Sequence, residues 1–220
     1  MKTAHPALLP AGLAAVLPPN AMQEAKATED LIHSFSTCGY DRVKPPLIEF
    51  EDTLTSGSGA ATADQSFRLM DPVSQRMLAV RADMTMQIAR IATTRFPDAP
   101  RPLRLSYAGQ VLRVKGSTLR PERQFGQVGA ELIGSVLPTA DAEVILMAHQ
   151  AITNLGIEDI SIDLGLPTLV LAICEYLGIT KSNDVQKLRT ALNQKDANAI
   201  TKLPEPAAQV FGQLLNAVGP

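Results

Sequence analysis

The stretch "ERQFGQVGAELIG", residues 122–134, combines a strand pattern with polar residues and glycines. Successive side chains of a strand point to opposite faces of its sheet. Val128, Ala130 and Leu132 therefore share one face, which we expect to contact the core. The opposite face carries a mainly polar row: Gln127, Gly129, Glu131 and Ile133. Because glutamate is rarely buried without a partner, this row must face either solvent or a partner group.

The composition of the chain is that of a globular protein. Of its 220 residues, 45% are hydrophobic and 19% are charged, which is typical of folded domains. This length allows one large core or two small ones. The net charge of −2 provides no general attraction to nucleic acid or to an anionic membrane. We therefore expect neither nucleic acid nor membrane as a partner.

The cysteines and the first residues indicate a cytoplasmic protein. Cys38 and Cys174 are far apart and belong to no CxxC motif, which favours a reducing compartment over a disulfide scaffold. Prolines interrupt the apolar runs of residues 1–19, so we predict an N-terminal arm there and neither a signal peptide nor a membrane helix. The sequence contains no cofactor motif and no metal-ligand cluster, so no cofactor and no metal are predicted.

Hydrophobic periodicity predicts helices interspersed with hairpin-like strands. In chain order, we expect a helix capped by Asn20 and ended by Gly39, an extended run at 41–50, a loop at 55–66, a hairpin at 67–81 with its turn at Asp71 and Pro72, a helix at 83–96, strands at 103–109, 110–114 and 124–134, a helix from Asp141 to Gly156, a strand at 159–165, and helices thereafter. This order predicts an α+β domain with a mainly antiparallel sheet.

Polar residues that could hold a small ligand come from three of these elements. They are Arg81, Asp83 and Thr85 at a strand-to-helix junction, Arg113 on a strand, and the pair Gln127 and Glu131. Two carboxylates and an amide suit an ammonium group, whereas the planar fork of an arginine suits a carboxylate or a phosphate. Gly129 would leave room for a ligand against the sheet. On spacing alone, Asp83 could instead only cap a helix and Arg113 could be a solvated strand residue.

Four segments, in this order, resemble the catalytic core of histidyl-tRNA synthetase. They are "PPLIEFEDTL", "LAVRADMTMQIAR", "LRLSYAGQVLR" and "ERQFGQVGAELIG". The resemblance covers about residues 6–175, and the order and spacing of the segments make it specific. It implies the class II aminoacyl-tRNA synthetase-like fold, an antiparallel sheet flanked by helices, in a core domain at 20–220.

The resemblance also implies roles for individual residues. Pro46 would belong to the first class II motif, at the interface of a homodimer. Arg113 would belong to the second motif, where the matching arginine of true synthetases meets ATP phosphate. The positions of the remaining candidates line the histidine pocket in that family: Asp83, Thr85, Gln127 and Glu131. The histidine-binding set expected here is these four residues with Arg113.

Departures from the synthetase pattern favour a regulatory relative. The chain reads "VRADMT" where a synthetase usually has "LRPEGT", and this Asp, like "ADAEVI" at 140–145, is similar to the synthetase-like regulatory subunit of ATP phosphoribosyltransferase. We find no "GLDYY"-like motif and no third class II motif, so we expect a core truncated before that motif. Without the arginine of that motif, nothing would stabilise the charge that develops on phosphate during adenylate formation.

The sequence therefore predicts a non-catalytic regulatory subunit of ATP phosphoribosyltransferase. Such subunits join a separate catalytic subunit for the first step of histidine biosynthesis, and L-histidine is the feedback inhibitor. No catalytic residue is expected in this chain. Two alternatives stay open at this point: a fragment of a histidyl-tRNA synthetase or amino-acid-activating paralogue, and a degenerate domain that serves only as a dimerisation scaffold.

Overall fold

The computed structural model describes residues 9–55 and 63–217. Most of the loop predicted at 55–66 and the beginning of the predicted arm lie outside these residues. The chain forms two compact units, Met1–Ile160 and Ser161–Pro220. The division into an arm at 1–19 and a core domain at 20–220 stays a prediction.

A long antiparallel strand pair is the centre of the first unit. β5 (Leu103–Leu112) and β6 (Gln124–Ile133) pair over ten positions, and β1 (Asp41–Arg42) lies parallel to β5 on its other side. The expectation of two separate runs at 103–109 and 110–114 is wrong, because the chain continues as one strand through Gly109. β6 thereby has a long partner strand that fixes the register of its polar row.

A second small sheet carries the hairpin predicted at 67–81. Its strands are β2 (Ile48–Phe50), β3 (Arg68–Met70) and β4 (Met77–Val80), in the order β2-β4-β3, and both pairings are antiparallel. Asp71 closes the turn, since its carboxylate accepts hydrogen bonds from the backbone N–H groups of Val73 (3.1 Å) and Ser74 (3.2 Å). This confirms the predicted hairpin. The short helix α2 (Glu51–Thr55) follows β2.

Two helices cover one face of the β5–β6 pair. α1 (Asn20–Thr37) and α4 (Pro138–Asn154) supply Ile32, Phe35 and Met147 to this core. The apolar face of β6 packs against it, as predicted, through Val128, Ala130 and Leu132. Asn20 makes no side-chain cap, however, and the N-cap position of α1 is Pro19.

The opposite face of the sheet is also covered. α3 (Thr85–Thr94) lies there and buries Met84, which precedes it, with Ile88 and Ala92, as its periodicity predicts. These residues pack with three buried side chains of β5: Leu105, Tyr107 and Val111. The polar row of β6, whose residues are half-buried, therefore lies beside the beginning of α3.

The second unit consists of helices. α5 (Pro167–Tyr176), α6 (Ser182–Asn193), α7 (Ala197–Thr201) and α8 (Ala207–Asn216) surround a core of their own, with Phe211 and Ile200 nearly inaccessible to solvent. The strand predicted at 159–165 is wrong: those residues form no strand and most are exposed, because none of the described strands pairs with them. Across the described ranges, no helix is both long and apolar enough to cross a membrane.

Candidate ligand site between β6 and α3

Hydrogen bonds of Asp83 and Gln127 connect β6 to the turn before α3. The Gln127 amide donates from Nε2 to Asp83 Oδ2 (2.8 Å), and its Oε1 accepts from the backbone N–H of Met84 (3.0 Å). Asp83 Oδ1 accepts from the backbone N–H of Thr85 (2.8 Å). Asp83 therefore closes a local turn, whereas the N-cap position of α3 is Met84. A carboxylate has about four acceptor sites, so Asp83 keeps capacity for a ligand donor.

Glu131 lies beside these hydrogen bonds and accepts one from a tyrosine. The Tyr107 hydroxyl donates to Glu131 Oε1 (3.0 Å) and lies 3.4 Å from Thr85 Oγ1. Burial raises the pKa of Glu131 above its ordinary value, as does the charge of Asp83, while hydrogen bonds from Tyr107 and Thr85 oppose the rise. Burial also raises the pKa of Tyr107 well above its ordinary value, so its hydroxyl stays protonated at neutral pH and can donate.

The room at Gly129 is filled by the protein itself. Gly129 stands directly opposite Tyr107 in the β5–β6 register. A Cβ atom at position 129 would lie 2.5 Å from both Cζ and Oη of Tyr107. The expectation that this glycine leaves room for a ligand is therefore wrong. The absence of a side chain at 129 lets the tyrosine ring lie across the strand and reach Glu131.

Arg81 joins the proline segment to the sheet. Its side chain is buried; Nε donates to the carbonyl of Gln110 (2.8 Å) and Nη1 to the carbonyls of Pro45 (3.0 Å) and Pro46 (3.3 Å). The guanidinium lies against Gly109, where a Cβ would collide with it. Burial lowers the pKa of Arg81, and the charge of Glu49 opposes this. Arg81 thus fixes the chain two residues before Asp83 to the proline segment and to β5.

Arg113 lies in a neighbouring cavity. This cavity, of about 410 Å³, also contains Lys115 and Arg120. The guanidinium centres of Arg113 and Arg120 lie 5.1 and 4.8 Å from the centre of the Phe125 ring. Arg113 Nε reaches the carbonyl of Ala82 at 3.5 Å, the limit of a hydrogen bond. Phe125 and two carboxylates, Asp64 and Glu122, line the same cavity. The three cations and the aromatic ring suit an anion attached to a planar group.

Of the five residues predicted for the site, four come together and one stands apart. Asp83, Thr85, Gln127 and Glu131 form one hydrogen-bonded group with Tyr107. Arg113 lines the adjacent cavity and reaches the backbone carbonyl of Ala82, the residue before Asp83. The described residues bring together no group of three or more metal-ligating side chains.

The sequence model of the family described as histidyl-tRNA synthetase matches residues 12–219. The chain belongs to the histidyl-tRNA synthetase family. Two curated relatives, both named ATP phosphoribosyltransferase regulatory subunit, are 54% identical to it. The match to the protein of Rhodospirillum centenum covers 97% of this chain and 55% of the relative. The match to the protein of Paramagnetospirillum magneticum covers 100% of this chain and 58% of the relative. The chain thus spans little more than half the length of these relatives.

The solved structures confirm the class II aminoacyl-tRNA synthetase-like α+β fold. A crystal structure from Bacillus halodurans, of an ATP phosphoribosyltransferase regulatory subunit/histidyl-tRNA synthetase, superposes with a TM-score of 0.80 at 25% identity, over 98% of this chain and 57% of that one. The predicted resemblance to both the synthetase and its regulatory relatives is therefore confirmed.

In this member of the histidyl-tRNA synthetase family, sequence reasoning missed Tyr107. The sequence does not show how β5 and β6 are aligned, and Tyr107 belongs to the site because this alignment places it opposite Gly129 and near Glu131. A large aromatic residue facing a glycine across an antiparallel pair is a pattern that could have identified it.

Proposed function

We propose that this chain is part of a regulatory subunit of ATP phosphoribosyltransferase that performs no catalysis itself. It would join a separate catalytic subunit in the cytoplasm for the first step of histidine biosynthesis. The observation that carries the proposal is the 54% identity, over 97% of the chain, to a relative of that name. The test is to mix the purified chain with the catalytic subunit from the same organism and to follow complex formation by analytical ultracentrifugation. Failure to associate at micromolar concentrations would contradict the proposal.

The ligand of the site is L-histidine in this proposal. Asp83 and Glu131 provide two carboxylates in a partly buried place, which favours the cationic amino group or an imidazole N–H. Gln127 offers a neutral hydrogen-bonding group, and Arg113 is the cation available to the ligand carboxylate. Histidine bound more tightly in one state of the complex than in another would shift the equilibrium toward that state, which is the physical basis of feedback inhibition.

Calorimetric titration with histidine tests this assignment. Glu131→Gln keeps the shape of the side chain and removes its charge. A hydrogen bond to a charged group contributes about 1.5–3 kcal/mol, so we expect a loss of affinity of about tenfold to a hundredfold. Glu143→Gln is the matched control, since Glu143 pairs with Arg104 away from the site (2.7 Å) and the change should leave affinity unaltered. Equal affinities of wild type and Glu131→Gln would remove Glu131 from the ligand site.

A synthetase-like activity is the second candidate, because of the basic cavity around Phe125. Arg113 and Arg120, which both lie near the Phe125 ring, would also suit a nucleoside triphosphate. Under the regulatory proposal, the chain supports no histidine-dependent exchange of pyrophosphate into ATP. Exchange above that of an Arg113→Ala variant would favour the synthetase fragment. No histidine binding and no exchange, in a folded chain, would favour a dimerisation scaffold.

We also propose a homodimer formed around Pro45 and Pro46. The adjoining residues Leu47 and Ile48 are 41% and 39% exposed, and Ile48 belongs to β2, an edge strand of its sheet. An exposed apolar edge strand readily pairs with another copy. Light scattering should give the mass of a dimer for the wild type and of a monomer for Ile48→Glu. A wild-type monomer at micromolar concentration would contradict this proposal.

A further inference from the structure

Tyr107 connects the two sides of the candidate site. Its ring is almost fully buried, lying over Gly129, with only 3% of the residue exposed. Its hydroxyl is placed between Glu131 Oε1 at 3.0 Å and Thr85 Oγ1 at 3.4 Å. The hydroxyl therefore joins β6 to the first residue of α3 through one oxygen atom.

We propose that Tyr107 is a positioning residue whose hydroxyl donates to the Glu131 carboxylate and directs it at the cationic group of a small amine ligand. The inference deepens the proposed histidine site and rests on it for the identity of the ligand. The tyrosine ring can occupy this position because Gly129, over which it lies, has no side chain. Without the hydroxyl, Glu131 would lose a donor in a partly buried place, where an unsatisfied charge is costly.

The groups around Glu131 act on its pKa in opposite directions. The groups that act on it are Tyr107 on β5, Thr85 on α3 and Asp83 in the turn before α3. Burial and the negative charge of Asp83 favour the neutral acid, whereas Tyr107 and Thr85 favour the carboxylate by donating hydrogen bonds. Tyr107 also joins the hydrophobic core, so its rotation is restricted and its hydroxyl cannot easily leave Glu131.

A titration of the ligand-free chain tests the positioning role without any ligand. The side-chain carboxyl carbons of glutamate are labelled with ¹³C, Glu131 is assigned by its loss in Glu131→Gln, and the spectrum is followed against pH. In Tyr107→Phe, Glu131 should titrate at higher pH than in the wild type. Tyr40→Phe is the matched control, because Tyr40 donates to Glu143 (3.1 Å) outside the site, and it should leave the titration of Glu131 unchanged. An unchanged Glu131 titration in Tyr107→Phe overturns the proposal.

A second variant covers the case in which Tyr107→Phe does not fold. Replacement of all three tyrosines by 3-fluorotyrosine makes each hydroxyl a stronger donor with little change of shape. Glu131 should then titrate at lower pH than in the unlabelled chain. An unchanged or higher titration pH contradicts the proposal.

Histidine titrations at several pH values provide the functional readout. At neutral pH, Tyr107→Phe should bind histidine about threefold to tenfold more weakly, as expected for one hydrogen bond, and the loss of affinity toward acid pH should begin at higher pH. In a Glu131→Gln background the shift in pH should vanish. If the wild type binds no histidine, the proposed ligand fails while the ligand-free titration still decides the role of Tyr107. Equal pH profiles of Tyr107→Phe and wild type would reduce Tyr107 to a packing residue.

Discussion

Replacement of Gly129 by alanine should destabilise the first unit through one collision. The added Cβ would lie 2.5 Å from Cζ and Oη of Tyr107 and 2.9 Å from Cε2, so the ring must move. The ring is confined by buried neighbours, among them Met84, Leu105 and Val111. Because interiors are closely packed, it has little room to do so without moving α3 or breaking its hydrogen bond to Glu131.

The expected magnitude follows from three contributions. Overpacking a core costs about 1–3 kcal/mol, and loss of the hydrogen bond from Tyr107 to Glu131 adds about 1 kcal/mol. Alanine in a strand is more favourable than glycine by about 0.5–1 kcal/mol, which offsets part of this. We therefore expect Gly129→Ala to lower the free energy of unfolding by about 1–3 kcal/mol, a large part of the roughly 5–15 kcal/mol that holds a typical domain together.

Urea unfolding, read from the amide resonances of β5 and β6, follows this unit by itself. A double-mutant cycle with Tyr107→Ala isolates the collision. In the Tyr107→Ala background, Gly129→Ala should be neutral or slightly stabilising, since no ring opposes the new methyl group. Gly126→Ala on the same strand is the control, because its Cβ would meet the ends of two flexible side chains, Glu24 at 3.1 Å and Gln110 at 3.7 Å, and both can move.

Two outcomes would refute this reasoning. If Gly129→Ala is tolerated as well as Gly126→Ala, the ring of Tyr107 is not confined over position 129. If Gly129→Ala costs the same with and without the tyrosine ring, the loss of stability has another origin, and the glycine does not explain the placement of Tyr107.

Three further changes test other contacts. The pKa of Glu131 is raised in the folded chain above 4.5, so ionisation of Glu131 lowers the stability of the fold as pH rises above that value. The melting temperature of Glu131→Gln should therefore increase relative to that of the wild type from acid to neutral pH. A difference that stays constant with pH would contradict this. The pKa of Glu143 is lowered, chiefly by hydrogen bonding to Arg104, so Glu143→Gln should unfold at lower urea concentration at pH 7, with the difference lost as pH falls below the ordinary glutamate value. Arg81→Lys removes a guanidinium that donates to three backbone carbonyls and should cost about 2–4 kcal/mol in urea unfolding; a cost below about 0.5 kcal/mol would show that the three bonds contribute little.

Local pattern predicts the helices α1, α3 and α4 of the first unit, the hairpin of β3 and β4, and the faces of β6. The period of two placed Val128 and Ala130 on the core side, and the period of α3 predicted its buried Ile88. Both follow from geometry that neighbouring residues share, so the sequence suffices. The resemblance of the sequence to a family also predicts that Asp83, Thr85, Gln127 and Glu131 share one site, and the structure brings these four residues together. Whether histidine binds there stays a prediction.

Tertiary structure decided what each polar residue and glycine does. The register of β5 against β6 brings Tyr107 over Gly129, and a sequence carries no direct mark of which residues will stand opposite each other. The sequence predicts the end of a strand at Gly109, yet β5 continues through it and the buried guanidinium of Arg81 lies against it. The sequence predicts Arg113 together with the polar row, but Arg113 follows the last residue of β5 and lines the next cavity. Periodicity specifies the direction of a side chain, whereas the identity of its neighbour depends on chain segments far away in the sequence.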